Sequence, residues 1–483
     1  MLNQIILLMT SHGSVPVNTV LPAVTGTVTV GQTLTCSTGT WTGSPAPTYT
    51  YQWYHGITGI GFTAIGGKVS STYVVEQGYV GEELYCKVTA TNTMGAVVAN
   101  SATVGLVVAI PGQLWVWGPN DTGQLGQGNL TDRSSPVQVG AAATWASVAT
   151  AYRCAFGITS AGKLYSWGTN LGGYGGPLGL GNTTSYSSPK QVGALTNWLS
   201  VSAGSNSSVL AIKTDHSLWA WGVNNQGQLG KGNTTSYSSP VQVGALTNWS
   251  RIAVGRNLNI AEFSLAIKVD GTLWSWGRGD YRTLGLGNST NYSSPRQVGA
   301  ATNWDRIFAG AQHVGARNTG YVWSLWGMNG YYETSPTYGY VIKGQVTGTN
   351  PFEASPKAIA GGWRTMDGWG SGQQAATFAI PDTNYKLYST GSVLSPFSAT
   401  GSSWSRSSFA QVGSGTTWKS VGISNLGHLL ATDGGLWSWG VGTTGKQGNG
   451  STTNNAVPTQ IGALTTWLRI DSMGNFSAAI KTA

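Results

Sequence analysis

Short alternations of apolar and polar residues run along most of this chain. Residues 198–204, WLSVSAG, alternate as a half-buried strand does. The stretch SVLAIKTD reads as a second short strand that ends in a turn at Asp215 and His216. SLWAWG is a third, closed by Gly222. NNQGQLGKGN is glycine-rich and predicts a tight loop. SSPVQVG predicts a last strand around Pro240, whose missing N–H is tolerable on a sheet edge. Nothing in the unit has helical spacing over a useful length. Four short strands in roughly fifty residues predict one blade of a β-propeller.

The unit recurs. The word Trp-x-Trp-Gly stands at Trp115–Gly118, Trp219–Gly222, Trp274–Gly277 and Trp437–Gly440. Tyr165–Gly168 is the same word with Tyr in the first slot, and Trp323–Gly327 and Tyr385–Tyr388 are degraded copies. A second word, Trp followed by a short apolar alternation, starts at Trp145, Trp198, Trp249, Trp304, Trp363, Trp418 and Trp467. Both words occur seven times, which predicts seven blades. The tryptophans are expected to fill the wedges between blades, where each buries roughly 150–250 Å². The glycines of the GQLG loops are read as turn residues needing positive φ. Asp215, Asp270 and Asp433 precede three of the Trp words and are read as turn residues bonded to nearby backbone. The first Trp word has no alternating strand before it, and the last alternation, Trp467–Ile470 with FSAAIKTA, has no Trp word after it. The two halves complement each other, so strands near Ile480 are expected to pair with Leu114–Trp117 and close the ring, removing sheet edges.

The stretches GQLWVWGPNDTGQLGQGN, HSLWAWGVNNQGQLGKGN and GGLWSWGVGTTGKQGNG resemble the regulator-of-chromosome-condensation repeat. The resemblance covers roughly residues 111–483 and implies a seven-bladed propeller; units around 305–410 depart from it.

Residues 15–109 have another texture, rich in Thr, Val and Gly. Cys36, Trp53 and Cys86 stand in the order and spacing of an immunoglobulin-type sandwich, although Leu84 occupies the tyrosine-corner position. The stretch from GTWTGSPAPTYTYQW to ELYCKVTATNTMG resembles bacterial and bacteriophage immunoglobulin-like modules. The fold class read here is therefore all-β: an N-terminal arm or docking segment (1–14), an immunoglobulin-like β-sandwich (15–109) and a seven-bladed propeller (110–483) closed by its terminal strands. The joining segment VVAIPGQ is short and holds Pro111.

Charged residues make up only 8% of the chain, yet its 22 Trp and 20 Tyr supply ample core. Of 25 basic and 16 acidic residues, two and three lie before residue 111, so the propeller holds 23 against 13. Arg133, Lys190, Lys231 and Arg296 fall at comparable places in successive units and would form a weakly basic rim. No basic run points to sequence-specific nucleic-acid reading. Cys36 and Cys86 are open to bridging or to remaining buried thiols, with Cys154 left over. The apolar run Ile5–Met9 is too short for a usual signal core or a membrane span. Hydroxyl-rich composition without an evident export signal fits a virion protein, made in the host cytoplasm and released by lysis.

Chemistry-bearing patterns are sparse. His12, His55, His216, His313 and His428 have no metal-ligand spacing, and no cofactor is implied. GSGTTWKS lacks the Gly-Lys-Ser/Thr end of a phosphate loop. The chain is read as a non-enzyme. The candidate ligand surface is the irregular sector 328–410, with Tyr331, Tyr332, Tyr338 and Tyr340 in a tyrosine-rich insertion and Trp369 and Trp404 beyond it. Tyr186, Tyr237 and Tyr292 recur in register and are expected to pack between blades. The function expected is a bacteriophage virion structural protein (tail fibre, spike or capsid decoration) attaching to host-surface glycans; the alternative is a bacterial cell-surface or secreted adhesin. Expected partners are other virion proteins, through the arm and the sandwich, and a host-surface polysaccharide or protein. An oligomer within the particle is expected too.

Overall fold

The protein is described from a computed structural model. It covers residues 13–140, 144–170, 175–205, 208–255, 263–310, 313–320, 322–328, 352–359, 363–371, 374–381, 384–393, 399, 404–412, 417–423, 426–473 and 476–482. The chain divides into two compact units, Met1–Val108 and Ala109–Ala483.

In the first unit a four-stranded sheet (Gly61–Ala64, Thr48–Ile57, Glu83–Asn92, Gly95–Asn100) and a three-stranded sheet (Val24–Thr25, Thr33–Cys36, Thr72–Val74) share one core. Along Glu83–Asn92 the side chains alternate in and out of that core, so the period of two seen in the sequence is the period of burial. Trp53 is fully buried in one core with Cys36 and Cys86, which come from different sheets and are free thiols. The Cys36 thiol donates to Ser37 O at 3.3 Å and the Cys86 thiol to Lys87 O at 3.9 Å, and the mutual influence of the two neighbouring thiols pushes Cys86 up and Cys36 down. Ser14–Val20 and Thr40–Ser44 add a two-stranded ribbon.

The second unit is all-β. Its described residues form four-stranded antiparallel sheets in sequence order, from Trp145–Gln191, Trp198–Gln242, Trp249–Gln297, Trp304–Ile359, Trp363–Gln411 and Trp418–Gln460. A further sheet combines the two ends of the chain, with strand order Arg133–Gln138, Gln113–Gly118, Phe476–Lys481, Trp467–Met473. The pairing expected from the complementary words is present: Leu114 stands opposite Ile480 and Trp117 opposite Ser477.

At five places the second tryptophan of a word fastens its sheet to the one before. Trp221 is fully buried and donates its Nε1–H to Pro177 O, in the loop of the preceding sheet, at 2.8 Å. Trp167 donates likewise to Gln124 O, Trp276 to Gln228 O and Trp326 to Thr283 O, each at 2.9 Å. Trp117 donates to Lys446 O at 3.0 Å, so the same fastening joins the mixed sheet to the sheet before it. A glycine makes the approach possible. Gly179 has φ +71°, and a Cβ there would lie 2.8 Å from Trp221 Nε1. The glycine of the loop thus meets two needs, a left-handed turn and room for an indole. Trp323–Gly327 is a degraded word in its first slot, where Ser324 takes the place of Trp274, but Trp326 keeps the fastening while Trp323, opposite Ile359, fills the place leucine takes elsewhere.

Candidate ligand-binding face

Most tryptophans and buried polar groups of the propeller are occupied by structure. Trp198 and Trp219 pack edge to face at 6.1 Å, and Lys213 Nζ lies 3.4 Å from the Trp219 ring centre. Lys268 repeats this at 3.8 Å from Trp274, and Lys481 lies 4.6 Å from Trp115. Burial lowers the Lys213 and Lys268 ammonium pKa values, nearby Asp215 and Asp270 oppose that shift, and the π faces add a favourable contact. His313 and His428 are buried, and desolvation holds them at about 4 and about 3. Both are neutral near pH 7 and closed to solvent. Arg317 and Asp305, both buried, form a two-point ion pair at 3.0 and 2.6 Å. Asp471 accepts from the Thr150 backbone N–H and hydroxyl at 2.6 and 2.8 Å, tying the mixed sheet to the one starting at Trp145. Among the described residues, no group of three or more His, Cys, Asp or Glu could hold a metal ion. No helix among them is long and apolar enough to cross a membrane.

The surface is organised differently. In each sheet, the first-to-second and third-to-fourth strand connections leave from the same end, as the antiparallel order requires. The third-to-fourth loops are pre-formed. Asn120, Asn170 and Asn224, all fully buried, accept from the Leu125, Leu178 and Leu229 N–H groups at 2.9–3.0 Å. Their amides donate to Asn129 O, Asn182 O and Asn233 O. These asparagines were not singled out in the sequence; their signal is Asn two residues after the Trp-Gly word. Further out, exposed Asn182, Asn233 and Asn288 cap turns by accepting the N–H two residues on, at 3.0–3.1 Å. Each also donates to a tyrosine hydroxyl four residues on: Tyr186 at 3.5 Å, Tyr237 at 3.1 Å and Tyr292 at 3.2 Å. Those tyrosines are half-buried against the cores between sheets, so the expected packing role is present together with a surface bond. The turn role of Asp215, Asp270 and Asp433 is present too: they accept from Ser217, Thr272 and Gly435 N–H at 2.9–3.0 Å.

The four cations read as equivalent are not. Lys190 and Arg296 share one place on the outer strand, opposite Ser166 and Ser275. Arg133 starts its strand opposite Gly118, the place tyrosine takes elsewhere, and Lys231 lies in a loop with its ammonium on Gln242 O. The misreading has a simple origin, since sequence distance from the SSP motif does not reveal pairing register.

Trp369 and Trp404 lie in the sheet 363–411. Its strands Trp363–Ser371, Gln374–Pro381 and Trp404–Gln411 run to nine, eight and eight residues, against six or fewer in the regular sheets from 145 to 297. Register places Trp369 opposite Ala376 near the hairpin end, and Trp404 opposite Val393 at the same end of the sheet. Tyr331, Tyr332, Tyr338 and Tyr340 lie outside the described residues, in the connection between Trp323–Met328 and Phe352–Ile359. By topology that connection leaves the neighbouring sheet from the corresponding end.

Comparison with known proteins bears on the scaffold. Residues 111–157, 161–211, 215–261, 270–317 and 433–480 match the regulator of chromosome condensation (RCC1) repeat. The chain is 30% identical over 224 residues to the ultraviolet-B receptor UVR8 of Arabidopsis thaliana, covering 46% of this chain and 49% of that protein. It is 31% identical over 232 residues to the mitochondrial RCC1 domain-containing protein RUG3 of the same plant, covering 45% and 50%. With the human E3 ubiquitin-protein ligase HERC2 the identity is 30% over 198 residues, 40% of this chain and 4% of that one. The chain thus spans about half, or far less, of these relatives. Among solved structures, human WBSCR16 is similar at a TM-score of 0.63 and 15% identity, covering 77% of this chain and 99% of that one. A chain of yeast RCC1 (Prp20) bound to Kap60 gives 0.63 at 18% identity, covering 78% and 90%. These likenesses show the fold.

Proposed function

We propose, for a chain whose second unit is a propeller of RCC1 repeats, a non-enzymatic binding role: a virion structural protein that displays the propeller toward host-surface glycans. In this reading the seven four-stranded sheets are seven blades of one ring, and the first unit is an immunoglobulin-like module that docks on other virion proteins. Burial of Trp53 beside Cys36 and Cys86 in a core shared by two sheets supports the module reading. The observation that carries the proposal is positional. The regular sheets bury the second tryptophan of each word in a fastening, whereas by register Trp369 and Trp404 fall at the end of the extended sheet that corresponds to the end where the tyrosine-rich connection leaves the sheet before it. Aromatic residues on loops of a rigid scaffold give broad contact at low entropic cost. The ligase name of HERC2 is not carried over, since the match spans 4% of that protein.

The test is mass spectrometry of density-purified virus particles for the peptide SVGISNLGHLLATDGGLWSWGVGTTGK, residues 420–446. Stoichiometric recovery with the capsid protein is the expected result, and its ratio separates decoration from tail fibre. Recovery only from a bacterial envelope or medium transfers the same binding face to an adhesin and overturns the virion reading.

A further inference from the structure

The outer strand of each propeller sheet has one place that register fixes throughout. It is held by Val137, Lys190, Val241, Arg296, Lys357, Ala410 and Thr459. Three of the seven are cations and none is a carboxylate. Along the full outer strands there are five cations, Arg133, Lys190, Arg296, Lys357 and Arg406, against one acid, Glu353. Arg296, Lys357 and Arg406 fall on three consecutive sheets and lead to the sheet that bears Trp404.

Two of these cations are held in place by geometry. Lys190 Nζ lies 5.4 Å from the Tyr186 ring centre and the Arg296 guanidinium 5.2 Å from that of Tyr292. Both side chains are exposed, and neither forms an ion pair with a carboxylate among the described residues. Around each lie exposed polyol partners: Asn182, Thr183 and Thr184 beside Tyr186, and Asn288, Ser289 and Thr290 beside Tyr292. Cations and prolines on edge strands also keep those edges from pairing with other chains. That role would be met by cations on any sheet. It does not call for three in succession, nor for seating Lys190 and Arg296 on tyrosine rings.

We infer that this outer edge, from Arg296 through Lys357 toward Arg406, is a binding track for an acidic polysaccharide, with Lys190 as an outlying contact. The cations meet carboxylates spaced along the polymer, and the flanking Asn, Thr and Tyr groups meet its hydroxyls. A polymer fits better than a small anion because the cations are spread over separate sheets. At Lys190 and Arg296 the neighbours are hydroxyls and amides, and the tyrosine ring beside each already carries the cation, so a uronate-type glycan fits better there than nucleic acid. The inference rests on the glycan-binding reading above and names the class of glycan.

The experiment measures binding of the full chain to alginate oligomers, to neutral dextran oligomers of equal length, and to a single-stranded DNA of equal charge, at several salt concentrations. Alginate is expected to bind with a negative salt dependence, and dextran weakly or not at all. Arg296→Gln with Lys357→Gln should weaken alginate binding about tenfold and flatten its salt dependence. Lys68→Gln with Lys87→Gln, in the first unit, removes the same two units of charge and should leave both unchanged. Unchanged alginate affinity in the double variant overturns the inference, as does DNA binding at least as tight as alginate. Dextran bound as well as alginate overturns it while the glycan reading survives. Failure of both glycans to bind overturns both.

Discussion

The regular sheets between residues 145 and 297 and the sheet 363–411 share strand order and register but use their aromatic residues differently. In the regular sheets the second tryptophan of each word is sealed, its N–H bonded to the loop behind it. In the sheet 363–411, Tyr388 pairs with Gln411 as Trp219 pairs with Gln242, and Thr390 stands where Trp221 would be. The fastening tryptophan is absent from that place, the strands lengthen past it, and Trp369 and Trp404 lie near the end reached by that lengthening. Repeats that hold a ring together are constrained at every fastening; one freed of it can change its loops.

The largest expected effect comes from cutting a fastening. Trp221→Ala removes a fully buried indole and its bond to Pro177, and should cost about 3–5 kcal/mol, read from denaturant unfolding. A loss near zero would mean that the sheets are held by something else. The buried ion pair offers a second cut. Arg317 stands opposite Trp323, the place where Ile212 and Ile267 stand opposite leucine, and Asp305 follows Trp304 as Leu199 follows Trp198. Asp305→Ala alone should cost about 3–5 kcal/mol by stranding a buried guanidinium. Asp305→Leu with Arg317→Ile copies the pair Leu199 and Ile212 and should come within about 1 kcal/mol of the parent or exceed it. A double variant as unstable as the single one would show that the pair does more than replace apolar packing.

A smaller effect follows from the buried histidines. Their folded pKa values lie below the unfolded value near 6.5, at about 4 for His313 and about 3 for His428. The unfolded chain therefore binds protons first as pH falls. The stability these neutral histidines allow is complete above about 6.5. It declines by about 1.4 kcal/mol per pH unit per histidine between there and the folded values. His313→Phe and His428→Leu place residues that equivalent strands already use, Phe263 and Leu265. Each should flatten that slope, measured as unfolding midpoint against pH. An unchanged slope would place the acid sensitivity elsewhere.

Much of the scaffold was legible because its signals are local and repeated. The two tryptophan words mark the strands, and their mismatch at the chain ends foretold the pairing of Leu114 with Ile480. The turn aspartates were readable because they act over two residues. The fastenings were not, since Trp221 and Pro177 lie 44 residues apart and nothing in either segment names the other. Nor were Asn120, Asn170 and Asn224, because asparagine in a glycine-rich loop usually means an exposed turn. Arg317 and Asp305 hid for a related reason: Arg317 breaks an apolar place that Ile212 and Ile267 hold elsewhere, and only Asp305 explains it. The basic rim was half legible, for composition gives charge but only register gives place.

The most direct measurement sets stability beside binding for the two kinds of tryptophan. Trp369→Ala and Trp404→Ala would be compared with Trp221→Ala for thermal midpoint and for binding to host-surface polysaccharide. The first two should shift the midpoint by less than about 2 °C while weakening binding about tenfold or more, and the third should lower the midpoint by many degrees. Binding that survives both substitutions in the sheet 363–411, or midpoints that fall as far as with Trp221→Ala, would contradict a division between fastening and ligand-facing tryptophans.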